Sequence, residues 1–509
     1  MAAAMSRRGF LKAATVMALA AATGPVLAAC GTSQPQPRGY DGEPRPLPIP
    51  PLDEGKLVDG HRHFTLTTQA GSAEILPGTT TSTWGFNGDF LGPTLRMHRG
   101  DDVEVDITNE LDEMTTIHWH GMKLPAWADG GPHSPIEPGE TWSPRFGVDQ
   151  PAATLWYHPH PHGRTRLHCY RGLAGLLLID DDVSDNLDLP HEYGVDDIPV
   201  VIMDHKFTDD GELDETLDDD LGLMGDTPVV NGITNARFDA ETSRVRFRIV
   251  NGANMRFYNL ALSDERAFSV VATDSGLLSE PHEVTHALIG PGERLEIVVD
   301  LEPEEEISLV SLPLEGNFGI PEDNDEAPDF GFQHEFEFLQ ITGPAEGTPA
   351  SAALPAELDP AAAEQPNLDG VIEREFALNT FEINGETMDM ERVDVTIDHQ
   401  DPEVWIVTNE NPDWPHNFHI HNSRFRVLSI DNNEVEEIGT YGWKDTVSLP
   451  PGATARLAVE FGYYPDPTVP YMYHCHMLWH EDNGMMGQFV IVEPGEEAAL
   501  EPMSGHGPH

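Results

Sequence analysis

Cysteine is nearly missing from this chain: there are three in 509 residues, Cys30, Cys169 and Cys475. A small disulfide-stapled scaffold is thereby excluded, and no obvious pair is offered for even one bridge. Lysine is scarce too, five among 28 basic residues against 88 acidic ones, and the formal net charge is −60. A surface of that sign repels nucleic acid and anionic headgroups, so neither is expected as a partner. Apart from the stretch Ala13 to Ala29, no apolar run approaches the ~20 residues of a spanning helix. Disorder is excluded as well, because the acidic residues are threaded through patterned segments instead of gathered in blocks. Charge of this size opposes compactness unless salt screens it, so a salt-adapted, halophilic surface is the reading.

The N-terminus has its own logic. Ser6-Arg7-Arg8-Gly9-Phe10-Leu11-Lys12 before the apolar stretch resembles a twin-arginine export signal, assigned to residues 1–29. Leu27-Ala28-Ala29-Cys30 resembles a lipobox, which makes Cys30 a lipidated first residue. One lipidated residue gives an anchor, not a span. The expectation is an exported lipoprotein at the cell surface, extracellular or periplasmic, touching membrane only through Cys30. Residues 30–51 read as a Pro-rich tether, and Cys169 as a small buried side chain.

What the chain does have is turns and alternation, with 46 glycines and 43 prolines. Runs such as Val103-Glu104-Val105-Asp106-Ile107 alternate with period two, which predicts a mostly β protein. Asn-Gly turns at Asn87, Asn231 and Asn384 recur about every 150 residues, each followed by a strand ending in Asn109, Asn251 or Asn409. Three copies of a β-sandwich are predicted, over 52–185, 186–345 and 371–495, with a linker at 346–370 and a tail at 496–509.

Four His-x-His pairs stand out: His118/His120, His158/His160, His419/His421 and His474/His476. In a strand, residues i and i+2 share a face, so each pair presents two imidazoles to one side. The last pair brackets Cys475, whose thiolate points the other way, so one strand can serve two metal centres back to back. One thiolate, many imidazoles and a downstream thioether favour copper. Cys475, His480 and Met485, with His416, have the composition of a blue-copper electron-transfer site; a second cysteine, usual for zinc, is lacking. The remaining eight imidazoles suit a cluster of coppers. Two pairs lie in the first repeat and two in the third, so the cluster belongs at their interface, and the ligand-free middle repeat reads as a spacer.

These stretches resemble the four copper motifs of the three-domain multicopper oxidases, the bacterial laccases, copper-efflux oxidases and spore-coat laccases among them, from about residue 55 to 495. The resemblance implies three cupredoxin-like Greek-key sandwiches and four copper ions. Type 1 would take His416, Cys475, His480 and Met485, and type 2 His118 and His419. The type 3 pair would take His120, His158, His160, His421, His474 and His476. Asp129 and Glu481 match acidic residues that pass protons to the cluster in such enzymes.

The implied reaction is one-electron oxidation of a small reductant, a phenol or aromatic amine, coupled to four-electron reduction of O2 to water. Electrons would pass through Cys475 into its flanking histidines, over roughly 10–15 Å from strand rise plus side-chain reach. Cuprous oxidation for copper detoxification is the alternative. The Met-rich segment of copper-efflux oxidases has no counterpart here, since residues 343–375 contain no methionine. The acidic run Glu322-Asp323-Asn324-Asp325-Glu326 reads first as solvated, salt-adapted surface and only second as a feature favouring cationic donors. Copper-free cupredoxin scaffolds with cell-division roles also exist, but here all twelve ligand positions are filled.

Overall fold

The computed structural model describes residues 42–314, Phe318, 331–431 and 441–500. The signal sequence, Cys30, the first part of the tether, the acidic run at 322–326 and the last nine residues lie outside the described residues.

The described residues are nearly all-β, and their six main sheets pair off in sequence order into three sandwiches. In each, two parallel pairings recur. His61–Ala73 lies parallel to Asp102–Asn109, and Thr94–His98 to Gly175–Asp180. Asp197–His205 likewise joins Arg244–Asn251, and Ala236–Asp239 joins Phe336–Thr342. Glu373–Asn379 joins Glu403–Asn409, and Val395–Ile397 joins Met486–Ile491. This repeated pattern carries the cupredoxin-like fold.

The asparagines that mark the sequence repeat do the same work three times. Asn87, Asn231 and Asn384 all sit at positive φ, and each side chain bonds the backbone of the neighbouring strand. Asn109, Asn251 and Asn409 are fully buried; each Oδ1 accepts the N–H two residues on, and each Nδ2 donates to carbonyls at the far side of the loop. An amide has both a donor and an acceptor, so it can close a strand end that no apolar residue could satisfy.

Alternating apolar residues fill one core per sandwich. A fourth apolar cluster, including Trp156, Leu176, Val201, Met203 and Val250, fuses the first and second sandwiches. Met255, Phe257 and Leu221 of the middle sandwich join the core of the third.

The expected tether is in part fixed structure. Arg45–Pro46 pairs in parallel with Ala236–Asp239, Leu47 is buried, and Leu52–Asp53 pairs with Thr94–His98. Proline is tolerated there because an edge strand needs few of its own N–H groups. The linker is also held: Leu358 is buried and its N–H bonds to Ser279 of the middle sandwich.

Candidate metal centre

The first two histidine pairs come from neighbouring strands of one sheet. His118–His120 runs antiparallel to Ala153–His158, and His118 lies directly opposite His158. His160 follows one turn of chain later, its N–H fixed by Thr116 Oγ1 at 2.8 Å. In the third sandwich, His416–Ile420 pairs with Tyr471–His474, and His419 faces His474. The Tyr471–His474 strand ends at His474, so Cys475 and His476 continue it beyond the ladder. Cys475 N–H bonds instead to Met485 O, which keeps the chain extended enough to hold the alternation.

The two sandwiches meet ring to ring. His118 stacks on His421 and His120 on His419, both with centroids 3.8 Å apart. All eight imidazoles are buried. One set converges through His120 Nδ1, His158 Nε2 and His476 Nε2, with neighbouring atoms 3.4 Å apart. A second converges through His160, His421 and His474 Nε2, at 3.2 and 3.3 Å. The Nε2 atoms of His118 and His419 face inward with no partner among the described residues.

Outward contacts fix which nitrogens face in. A carbonyl only accepts, so His118 Nδ1 donates to Asp129 O at 3.0 Å, His158 Nδ1 to Pro159 O at 2.8 Å and His419 Nδ1 to Asp445 O at 2.9 Å. His421 Nδ1 bonds Asp129 Oδ2 at 2.8 Å. Glu481 brings its two oxygens to 3.4 Å from His160 Nδ1 and 3.2 Å from His474 Nδ1. Bare lone pairs are therefore turned on one another among buried rings, an arrangement that repels itself unless a cation sits between them.

The thiolate group is smaller. Cys475 Sγ lies 3.6 Å from both His416 Nδ1 and His480 Nδ1, which are 3.1 Å apart. Three ligands around one ion, with bonds of about 2.0–2.3 Å, would stand roughly 3.3–3.8 Å from each other, which the two sulfur–nitrogen gaps match and the nitrogen–nitrogen gap falls slightly short of. His416 Nε2 is taken by Asn411 Oδ1 at 2.8 Å, so its Nδ1 is the free lone pair. Met485 is buried, its N–H on His480 O and its carbonyl on Cys475 N–H. His162, two residues beyond His160, is exposed.

Burial dominates the protonation of these groups. It pushes His160, His474 and His480 down to about 3 and His419 to about 4, and drives the Cys475 thiol up to about 12. The imidazoles are thus neutral ligands in waiting, whereas the thiol needs a metal to lose its proton.

These directions set the acid stability of the metal-free protein. Imidazoles held below the unfolded value of 6.5 stay neutral in the fold and take protons only on unfolding, so stability falls as pH drops below 6.5 towards their folded values. Each such proton steepens the loss by about 1.4 kcal/mol per pH unit. The melting temperature of the metal-free protein should drop sharply between pH 6.5 and 5, above the range where carboxylates titrate. A flat profile there would contradict the argument.

Two parts of the site carried no sequence signal. Asp445 lies outside every motif, yet its carboxylate meets His120 Nε2 at 3.2 Å and its backbone carbonyl holds His419. Arg294, from the middle sandwich read as a spacer, grips that carboxylate. The middle repeat supplies no imidazole to the cluster, but it reaches into it.

Two multicopper oxidase family profiles match the chain, over residues 67–184 and 358–495. The multicopper oxidase mco of Staphylococcus aureus is 36% identical over 87% of this chain and 91% of its own. The cell division protein FtsP of Yersinia pestis is 36% identical over 96% and 98%. Among solved structures, a bacterial laccase-like multicopper oxidase, CueO, from the lignin-degrading bacterium Ochrobactrum sp. superposes with a TM-score of 0.77, at 34% identity, over 88% of this chain and all of that one. With these matches added to the gathered histidines and thiol, the chain belongs to the multicopper oxidase family, oxidoreductases that use copper and O2.

Proposed function

We propose that this protein is a laccase-type oxidase that takes electrons from phenols or aromatic amines and passes them to O2. The observation that carries this reading is the surround of His480. Its ring is buried beneath half-buried aromatics, with Phe381 at 5.6 Å and Trp414 at 6.1 Å between centroids, and Trp479 packs edge-on against Phe381 at 6.2 Å. A flat aromatic reductant can stack in such a collar, whereas a cuprous ion would want thioether sulfur. Oxidase activity on lignin model compounds, ascribed to the Ochrobactrum protein, points the same way.

Four copper ions are assigned. His416, Cys475, His480 and Met485 would hold type 1, and His118 and His419 type 2. The type 3 pair would take the two triads His120/His158/His476 and His160/His421/His474, whose facing nitrogens support that assignment. Copper, when bound, would supply one-electron redox chemistry at the thiolate site and at the histidine cluster, the four electrons for O2 coming from the reducing substrate. The chain supplies the route, since Cys475 is bonded on each side to a cluster histidine, and the protons, through Glu481 and Asp129. An exported protein, anchored at Cys30 and adapted to salt, completes the proposal.

The test is O2 uptake by the copper-loaded protein in concentrated salt, with a dimethoxyphenol or with Cu(I) as donor. Faster phenol turnover without added copper supports the laccase; uptake with Cu(I) alone makes it a metallo-oxidase. Trp414→Ala should raise KM for the phenol several-fold, on the scale of about 0.5–1.5 kcal/mol for one aromatic pair, with a smaller change in kcat. An unchanged KM would remove the collar from the argument.

A further inference from the structure

The middle sandwich, which carries no cluster ligand, does more than separate the other two. Arg294 opens its strand Arg294–Asp300 and is wholly buried. A guanidinium has five N–H donors, and here all five are spoken for. Nε donates to Thr154 O at 3.2 Å, on the strand of the first sandwich that ends in His158. Nη1 donates to Gly292 O at 2.9 Å and to Asp445 Oδ1 at 2.7 Å. Nη2 donates to Asp274 O at 2.9 Å and to Asp445 Oδ2. One side chain therefore ties together all three sandwiches.

Its main client is Asp445. The fork grips both carboxylate oxygens, and a bidentate grip fixes the plane of the carboxylate as well as its charge. Oδ1 also accepts from Thr446 Oγ1 at 2.9 Å and stands 3.2 Å from His120 Nε2. Asp274 Oδ2 sits 3.4 Å from Asp445 N and 3.3 Å from Thr446 N, and receives Lys444 Nζ at 2.9 Å, so the backbone of the same turn is held from the middle sandwich too. That backbone provides the carbonyl that accepts from His419 Nδ1. His120 and His419 are stacked on each other across the interface. Gly121, after His120, leaves no room for a side chain: a Cβ there would stand 2.7 Å from both Arg294 Nη2 and Asp445 Oδ2.

We infer that Arg294 is a positioning residue for the histidine cluster: it sets Asp445, and through Asp445 the orientation and tautomer of His120 and His419, making the ligand-free sandwich a working part of the oxygen-reducing site. The inference rests on the ligand assignment proposed above, with His419 on type 2 copper and His120 on one type 3 copper. The thiolate site touches the middle sandwich by a separate contact, Asn417 Nδ2 donating to Pro291 O at 2.7 Å, which does not pass through Arg294 or Asp445.

The experiment compares the copper-loaded full chain with Arg294→Lys, which keeps the charge and loses the fork, and Asp445→Asn, which keeps the shape. Each protein is titrated with a copper chelator while the type 2 electron paramagnetic resonance signal and the blue thiolate band are followed. Loss of an outer partner of a ligand weakens metal affinity about 10–100-fold. In both variants the chelator concentration that strips the type 2 signal should fall by that factor, and its hyperfine splitting should shift, while the blue band resists as in the parent. Parental resistance and splitting in Arg294→Lys would overturn the inference, even if Asp445→Asn behaves as expected. Parallel loss of both signals in both variants, with collapse of the fold, would also overturn it, as the clamp would then be structural only. A parent protein without a type 2 signal would instead remove the underlying ligand assignment.

Discussion

A Cys475→Ser protein should fold, lose its blue colour, and reduce O2 with its donor at less than about a thousandth of the parental rate, as expected when one member of a unit that acts together is removed. The fold should survive because the thiol contributes little to it. Cys475 is buried, but its backbone N–H still reaches Met485 O, and a serine hydroxyl can donate to Asn417 Oδ1, which Sγ approaches at 3.4 Å. His476 N–H also holds Asn417 Oδ1, at 2.6 Å, so the turn does not depend on the sulfur. What serine cannot do is supply a polarisable thiolate between His416 and His480. Absorbance, circular dichroism and O2 uptake on one sample test all three parts. Full activity in this variant would refute the electron route.

Glu481→Gln should leave copper content and colour intact and slow steady-state O2 uptake by about 10²–10⁴-fold, the usual worth of a positioned proton donor. Glu481 is buried, and its oxygens approach His160 and His474 without making an aligned hydrogen bond among the described residues. It faces the outer nitrogens of both rings without an aligned bond, so an amide of the same shape keeps the packing and removes the carboxylate that can carry a proton. Asp129 is different. Its Oδ2 accepts from His421 and its backbone carbonyl from His118, so Asp129→Asn should disturb copper binding along with turnover. Reduction of the blue site by phenol, followed without O2, should run at parental speed in Glu481→Gln. If that step slows as much as O2 uptake, the residue serves electron entry and its proton role is lost.

How much of this could be read without coordinates follows from the range of each interaction. The His118/His120 pair was legible because strand alternation is local, residues two apart sharing a face; the strands that begin the other three pairs stop at His158, Ile420 and His474. The triple repeat was legible through its asparagines, since an Asn-Gly turn and an asparagine closing a strand satisfy the backbone within a few residues. Other features escaped for the converse reason. The Pro-rich stretch looked free because the strand that captures Arg45–Pro46 begins at Ala236. The last histidine strand was expected to run through His476, but it ends at His474, where the ladder with Met486–Ile491 ends. Asp445 and its neighbours carry no motif, and the Arg294 that grips it is 151 residues away in sequence.

By itself, then, the sequence determined the β-class, the threefold repeat and the set of donor atoms, because backbone geometry and side-chain chemistry act over a few residues. The tertiary structure decided which donors meet. It divided six imidazoles into two triads, turned their lone pairs inward through carbonyls and carboxylates of other segments, and made the middle sandwich part of the site. Those choices depend on how three separately patterned sandwiches dock, and docking is fixed by interfaces that no local pattern records.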